Sequence, residues 1–151
     1  MDEQNKLLLN ETQLKDKIYI IRGVQVMLDS DLADIYGYTT KRLNEQVKNN
    51  IEKFDEEDLM FQLTKGENDN LRSKISTLGD EYNLKSKIST SSWGGVRKLP
   101  YAFTEQGVYM LMTVLKGELA TKQSKALVRL FKKMKDYVIE NQEILNHRDF
   151  L

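Results

Sequence analysis

The sequence predicts an α+β fold in which a small hairpin and a helix-turn-helix precede a central, wing-like β-hairpin and a long C-terminal helix. Two β-prone runs, residues 18–21 and 24–27, flank the dipeptide Arg22-Gly23, which indicates a hairpin. Residues 29–48 have the pattern of two short helices joined by a glycine turn. Apolar residues at alternating spacings of three and four between 127 and 144 indicate a long helix.

Length and composition limit the possible classes of protein. With 151 residues, 40% of them hydrophobic, the chain can form one ordinary core. It has no cysteine, which excludes disulfides and thiolate metal sites. No secretion signal is visible at the start, and the longest apolar stretch, residues 108–115, is far shorter than the ~20 residues that cross a bilayer. We therefore expect a cytoplasmic protein.

The net charge is zero, which on its own argues against nucleic-acid binding. The charges are, however, sorted into blocks. Residues 52–69 contain seven acids and two lysines, whereas residues 122–135 contain six basic residues and no acid. A basic face is therefore possible despite the neutral total.

The helix pair is defined by its turn and its buried side. Gly37 suits a tight reversal of the chain, and the small Ala33 allows close crossing of the two helices. Asp29 or Ser30 is the expected N-cap of the first helix. The side chains expected to face inward are Leu32, Ile35, Leu43 and Val47.

The second helix of the pair then presents a polar face that can contact DNA. Lys41 and Arg42 can reach guanine or phosphates, Asn44 can pair with adenine, and Lys48 suits a backbone phosphate. The candidate DNA-binding residues of this helix are Thr39, Thr40, Lys41, Arg42, Asn44, Glu45, Lys48 and Asn49.

A local repeat lies in the middle of the chain. Residues 70–77 recur thirteen residues later as residues 83–90, in a basic, Ser/Thr-rich segment that continues to a glycine pair at 94–95. The region 71–98 therefore resembles a β-hairpin. It is either a wing that contacts nucleic acid, with Trp93 and Arg97 as candidate contacts, or a solvated surface hairpin.

The following segments complete the predicted core. Residues 59–63 suit a buried strand, and residues 99–103 are extended. Thr104 is a suitable N-cap for a helix whose apolar face contains Val108, Leu111, Met112 and Leu115.

The last helix is expected from about residue 119 to 145. Its apolar positions have heptad spacing, and Asn141 lies at a position that could set the register of a paired helix. Two interpretations remain open: the helix forms a homodimer through residues 119–145, or Leu127, Leu130, Phe131 and Met134 pack on their own domain.

Four motifs in order resemble the ORF-six N-terminal domain, a bacterial and phage family related to the KilA-N and Bro-N domains of phage antirepressors. The motifs are Leu-Ala-Asp-Ile-Tyr-Gly (32–37), Lys-Arg-Leu-Asn-Glu-Gln-Val-Lys (41–48), Met-Phe-Gln-Leu-Thr (60–64) and Leu-Pro-Tyr-Ala-Phe-Thr-Glu-Gln-Gly-Val (99–108). The resemblance implies a small α+β DNA-binding domain of a phage or prophage regulator, with the helix pair as the DNA reader and residues 103–107 starting a packing helix. The expected organisation is a flexible lead-in (1–17), a KilA-N-like domain (18–117) and a long helix (118–151).

The leading functional prediction is a transcription regulator that binds double-stranded DNA, and the alternative is an antirepressor-type module that binds a repressor protein through the C-terminal helix. Enzyme chemistry is not expected, because the single histidine, His147, lies in a polar tail. Capping and solvation explain Asp29, Asp31 and the acidic run 55–58 better than a metal site does. No cofactor is predicted.

Overall fold

A computed structural model describes residues 11–77 and 98–149, with side chains placed for 12–74 and 98–136. Within these ranges the fold is α+β, as predicted, and combines helices with a four-stranded antiparallel sheet. The elements are α1 (Glu11–Lys15), β1 (Ile18–Ile21), β2 (Val24–Leu28), α2 (Asp29–Tyr36), α3 (Thr40–Asn49), a 3-10 turn (Ile51–Lys53), β3 (Met60–Gln62), α4 (Lys65–Thr77), β4 (Tyr101–Thr104), α5 (Glu105–Met112) and α6 (Glu118–Asp149).

The sheet is built around the predicted hairpin. β1 and β2 pair in antiparallel register up to Ile21 and Val24. The two turn residues both have positive φ, 55° at Arg22 and 75° at Gly23, which matches the right-handed twist of the flanking strands. The strand order is β1-β2-β4-β3. β4 therefore lies between two strands that precede it in the chain, and it places the late motif 99–108 at the centre of the sheet.

One face of the sheet supports the main core. Met27 and Phe103 are opposite each other on β2 and β4, and neither has any exposed surface. The ring of Phe54 meets Phe103 edge-to-face at 5.9 Å between centroids, a geometry that aromatic pairs prefer. Side chains from α2, α3, α5 and α6 complete this cluster.

The other face of the sheet carries a smaller cluster that includes Val26, Phe61 and Ala102, covered by Leu71 of α4. α4 begins with a reciprocal cap: the Thr64 hydroxyl accepts from the N–H of Glu67, and the Glu67 carboxylate accepts from the N–H of Thr64. Residues 71–77 are the last turns of this helix. The wing predicted over residues 71–98 therefore cannot begin at 71, and its remaining residues, 78–97, lie outside the described ranges.

The start of the described chain belongs to the folded unit. Residues 11–15 are helical, and Leu14, only 3% exposed, is part of the main core. The amine of Lys17 lies 3.5 Å from a carboxylate oxygen of Asp31. Residues 11–15 of the predicted lead-in therefore form a short helix, and residues 1–10 lie outside the described ranges.

Thr104 starts α5 as predicted, and it also attaches the helix to the chain that leads into β3. Its hydroxyl accepts from the N–H of Gly107 at 3.1 Å and donates to the carbonyl of Asp58 at 2.6 Å. Gly107 lies so close to the backbone of Leu59 that a Cβ at this position would overlap the Leu59 carbonyl. The Phe-Thr-Glu-Gln-Gly motif is therefore explained by packing and capping.

The first half of the predicted heptad seam of α6 packs within the domain. Leu127, Leu130 and Phe131 are at most 2% exposed, and Phe131 packs edge-to-face on Tyr109 at 6.0 Å. Leu127 and Leu130 are therefore unavailable to a partner helix, and for these positions the second interpretation, packing on their own domain, is confirmed. In the described part of the chain, no helix has the length and apolar character needed to cross a membrane.

Candidate functional site

The helix pair α2–α3 has the turn that the sequence predicts. Gly37 adopts a left-handed conformation (φ 73°), and the N–H of Tyr38 donates to the carbonyl of Ala33 at 2.8 Å. Ala33 is 1% exposed, and the four predicted inward side chains are all buried. The pair is thus held from behind by apolar packing, as expected for Leu32, Ile35, Leu43 and Val47.

The start of α2 differs from the prediction. Leu28 occupies the N-cap position, and no side chain caps the helix there. Asp29 is instead the first helical residue and is only 5% exposed. Its carboxylate accepts from the N–H of Ser30 at 2.9 Å and from the backbone of Tyr101. Burial raises the pKa of Asp29, and its hydrogen bonds and the positive charge of Lys98 partly offset that effect.

Asn44 is also placed differently from the prediction. The sequence pattern puts it on the outward face of α3, but its side chain is half-buried and its amide donates to Oδ2 of Asp29 at 3.0 Å. The amide group that was expected to pair with adenine is therefore engaged in joining α3 to α2. This bond gives Asn44 a structural role that the sequence pattern did not predict.

The remaining outward residues of α3 form an exposed face, which we call the α3 face: Lys41, Arg42, Glu45, Lys48 and Asn49. The guanidinium of Arg42 lies 5.5 Å from the centre of the Tyr38 ring, within cation–π range. Among the described residues, none of the three cations of this face forms an ion pair with an acid. The α3 face thus presents three positive charges and one negative charge to solvent.

Thr39 and Thr40 occupy the N-cap and the first helical position of α3. The Thr39 hydroxyl caps α3 by accepting from the N–H of Arg42 at 3.1 Å. Thr40 is the first helical residue and is half-buried. The other two predicted contacts, Trp93 and Arg97, lie outside the described residues.

Two further basic regions lie near the helix pair. Lys98, the first described residue after the central basic segment, is near enough to Asp29 to act on its carboxylate. At the other end of α2, the hydroxyls of Tyr36 and Ser124 share a hydrogen bond at 2.8 Å. Burial raises the pKa of Tyr36. The described fold therefore places Lys98 near the start of α2 and joins the other end of α2 to the basic helix α6.

Gln123 joins α6 to α2, and sequence patterns did not identify it. Gln123 is 1% exposed, and its amide donates to the carbonyl of Ile35 near the end of α2 at 2.7 Å. The sequence feature that could have identified Gln123 is its position within an apolar helix stripe, between Ala120 and Leu127. Within the described ranges, no group of three or more His, Cys, Asp or Glu side chains is arranged to hold a metal ion.

These features define the class of protein as a small α+β domain with a tightly turned helix pair beside a four-stranded sheet. A family model described as the ORF6N domain matches residues 16–114, well over half of the chain. The protein belongs to the ORF6N domain family, a phage-type domain, as its motifs predict. Comparison with curated proteins and with solved structures found no match.

Proposed function

We propose that the protein is a phage- or prophage-type transcription regulator that binds double-stranded DNA, with α2 and α3 acting as a helix-turn-helix. The observation that supports this function best is the α3 face. Its three cations are exposed on a helix whose opposite side is fixed by Leu43 and Val47. A rigid helix with an uncovered basic face suits insertion into a major groove.

The roles of the residues follow from their positions on α3. Lys41 and Lys48 are seven residues apart and so lie on the same side, about 10 Å apart along the helix axis. Both suit backbone phosphates. Arg42, near the N-terminus of α3 where reading helices contact bases, suits guanine N7 and O6, and Glu45 can accept from the amino group of cytosine.

Support for a regulatory role in the cytoplasm comes from the phage-type family and the proposed DNA contact. A homodimer would extend a short reading surface over two half-sites. With Leu127 and Leu130 buried, the proposed dimer contact is limited to the later positions of the predicted seam, Tyr137, Asn141 and Ile144.

The test is selection of bound duplexes from a random pool, followed by affinity measurements over a range of salt concentrations. We expect a preferred site, and we expect Arg42→Ala to relax the preference at one base pair and to cost about 1–3 kcal/mol of discrimination. Lys41→Ala and Lys48→Ala should weaken binding to all sequences and should each lower the salt slope by about 1.

The matched control is Lys65→Ala, which removes an exposed lysine from α4 on the other side of the sheet. It should leave affinity and salt slope unchanged. The proposal fails if no preferred site emerges, or if Lys41→Ala and Lys48→Ala behave like Lys65→Ala.

The second candidate function is binding of a protein partner, such as a repressor, through α6. It is favoured by an apolar groove beside this helix, which is independent of the α3 face.

A further inference from the structure

A groove with a volume of about 470 Å³ lies between the end of α5 and the first turns of α6. Its floor is apolar, with Leu115 and Ala120 only 5% and 6% exposed. Val128, on the α6 side, is 44% exposed and is thus an apolar side chain left largely open to solvent. Met112 adds further apolar surface. The groove therefore offers apolar contact area that the described part of the domain does not cover.

The rim of the groove is positively charged. Lys125 and Arg129 line it, one helical turn apart on α6. Lys122 and Lys132 continue the same stripe at spacings of three, and all four side chains are exposed. No acid of the described chain pairs with any of them, whereas Lys135 forms an ion pair with Glu105 at 2.6 Å. Like charges one turn apart slightly destabilise a helix, so these cations are suited to a partner that supplies the acids.

Hydrogen bonds between α6 and α2 support the α6 side of the groove. Ser124, which lines it, shares the hydrogen bond with Tyr36, and the neighbouring Gln123 donates to the carbonyl of Ile35. These bonds attach the first turns of α6 to α2. A surface that does not need to be ordered on binding loses less conformational entropy, which favours a specific partner.

We propose that this groove, which we call the α5–α6 groove, binds an acidic amphipathic helix of a partner protein. Apolar side chains of that helix would cover Val128, Leu115 and Ala120, while its Asp and Glu residues would pair with Lys125 and Arg129. This is the usual way in which an apolar groove receives a helix. The apolar floor favours protein over DNA as the occupant, because phosphates gain nothing from contact with apolar surface. The proposal rests on the second candidate function, binding of a protein partner through α6, and does not depend on DNA binding by α3.

The test is to pan a phage-displayed library of random 16-residue peptides against the full-length protein. We expect the enriched peptides to be acidic and to repeat apolar residues at spacings of three and four. The enriched peptide, synthesised with a fluorophore, should bind the Lys125→Glu variant and the Val128→Gln variant at least tenfold more weakly than the unmodified protein. Amide NMR shifts on titration should cluster at the α5–α6 groove.

Lys65→Glu is the matched control, because it makes the same charge change on exposed α4 and should alter affinity less than twofold. Lys125 and Lys65 are both exposed, so neither substitution should disturb the core. A circular dichroism melt checks the fold of each variant. The proposal is overturned if enrichment shows no acidic amphipathic pattern, or if Lys125→Glu and Lys65→Glu weaken binding equally. It is also overturned if a DNA duplex shifts the amide NMR signals of the groove residues and displaces the peptide. That result would show that the basic stripe of α6 binds phosphates. Because the peptide assay contains no α3 variant, its failure would leave DNA binding by α3 untouched.

Discussion

The side-chain amide of Asn44 donates a 3.0 Å hydrogen bond to the buried carboxylate of Asp29, and this bond joins the two helices of the pair. Asp29 also receives backbone bonds from Ser30 and from Tyr101 of β4. One carboxylate therefore connects α2, α3 and the central strand of the sheet. We therefore expect the orientation of the α3 face to depend on this contact.

Replacing Asn44 tests that dependence. Asn44→Ala removes a donor from a buried carboxylate, so it should lower the free energy of unfolding by about 1–3 kcal/mol. Urea denaturation followed by circular dichroism measures the change. Asn49→Ala, at the exposed last residue of α3, is the control and should stay within about 0.5 kcal/mol. Equal effects of the two variants would show that Asn44 does not support the helix pair.

The pH dependence of stability should report the ion pair of Arg22 and Glu67. The hydrogen bond from Arg22, with those from Thr64, lowers the pKa of Glu67 to about 2, and the same pair raises the pKa of Arg22. An acid with a lowered pKa in the folded state contributes stability above its unfolded pKa, and loses it as the pH falls toward the folded pKa. Stability from Glu67 should therefore disappear between about pH 4.5 and 2.

Glu67→Gln should flatten the pH dependence in that window, as measured by thermal unfolding at pH 2, 3, 4 and 5. Glu52→Gln, at an exposed position of the 3-10 turn, is the control and should keep the slope of the unmodified protein. Glu67 is near the surface, so added salt should reduce the difference. An unchanged slope in Glu67→Gln would remove the pair as a source of acid sensitivity.

A methyl group at Gly107 should be poorly tolerated. Its Cβ would overlap the Leu59 carbonyl oxygen and lie 2.8 Å from the carbonyl carbon, both of them backbone atoms that cannot move without shifting the entry to β3. Gly107→Ala should therefore cost about 3 kcal/mol, near the upper end of overpacking effects. Chemical denaturation gives the value.

Gly66→Ala is the matched control for that change. Gly66 lies in the first turn of α4, where the nearest atom to a new Cβ is the Thr64 hydroxyl at 4.0 Å. Alanine there should stabilise the protein by up to about 1 kcal/mol, because glycine is the poorer helix former. If both variants gain stability, the close approach at Gly107 is not a constraint.

Gln123 should be needed to join α6 to α2. Gln123→Leu keeps the apolar part of the side chain but leaves the buried carbonyl of Ile35 without this donor, which should cost about 1–3 kcal/mol. Gln106→Leu, at an exposed position of α5, is the control for the change in polarity. A loss of stability confined to Gln123→Leu confirms the role of its amide, and equal stabilities contradict it.

Oligomeric state should depend on the chain beyond residue 136. A chain that ends at Asp136 retains every buried side chain of the described core, so it should remain folded. If Tyr137, Asn141 and Ile144 form a dimer seam, the full chain should have twice the monomer mass by light scattering and the shortened chain should be a monomer. A full chain that is monomeric at every concentration would remove the homodimer from the proposal.

Local sequence patterns predicted the elements whose cause is local. The hairpin at residues 18–28 depends on two turn residues and the β-prone runs beside them, and the helix pair depends on Gly37 and four apolar positions. The cap at Thr104 is likewise a short-range effect. The capping box of Thr64 and Glu67 could have been found in the same way, since Thr-Lys-Gly-Glu carries its signature.

The periodicity of α6 could not show what its apolar stripe packs against. Heptad spacing places Leu127 and Leu130 on one stripe of α6, and such a stripe can pack either on a second helix or on its own domain. The packed core shows that these two residues pack on their own domain. Asn44 was assigned to the outward face for a similar reason. Its spacing predicted its angle around α3. Its partner, Asp29, lies fifteen residues earlier in the chain and is buried in the folded domain.

By itself the sequence determined the α+β class, the family, the two helices and the polar character of the α3 face, because these depend on composition and on neighbours within a few turns. The tertiary structure alone decided that β4 lies at the centre of the sheet, that Asn44 holds Asp29 and that the first half of the α6 stripe is buried. It also formed the α5–α6 groove from two helices that no local pattern relates. The physical reason is that burial and hydrogen-bond partners are set by segments that are distant in the chain and meet only on folding.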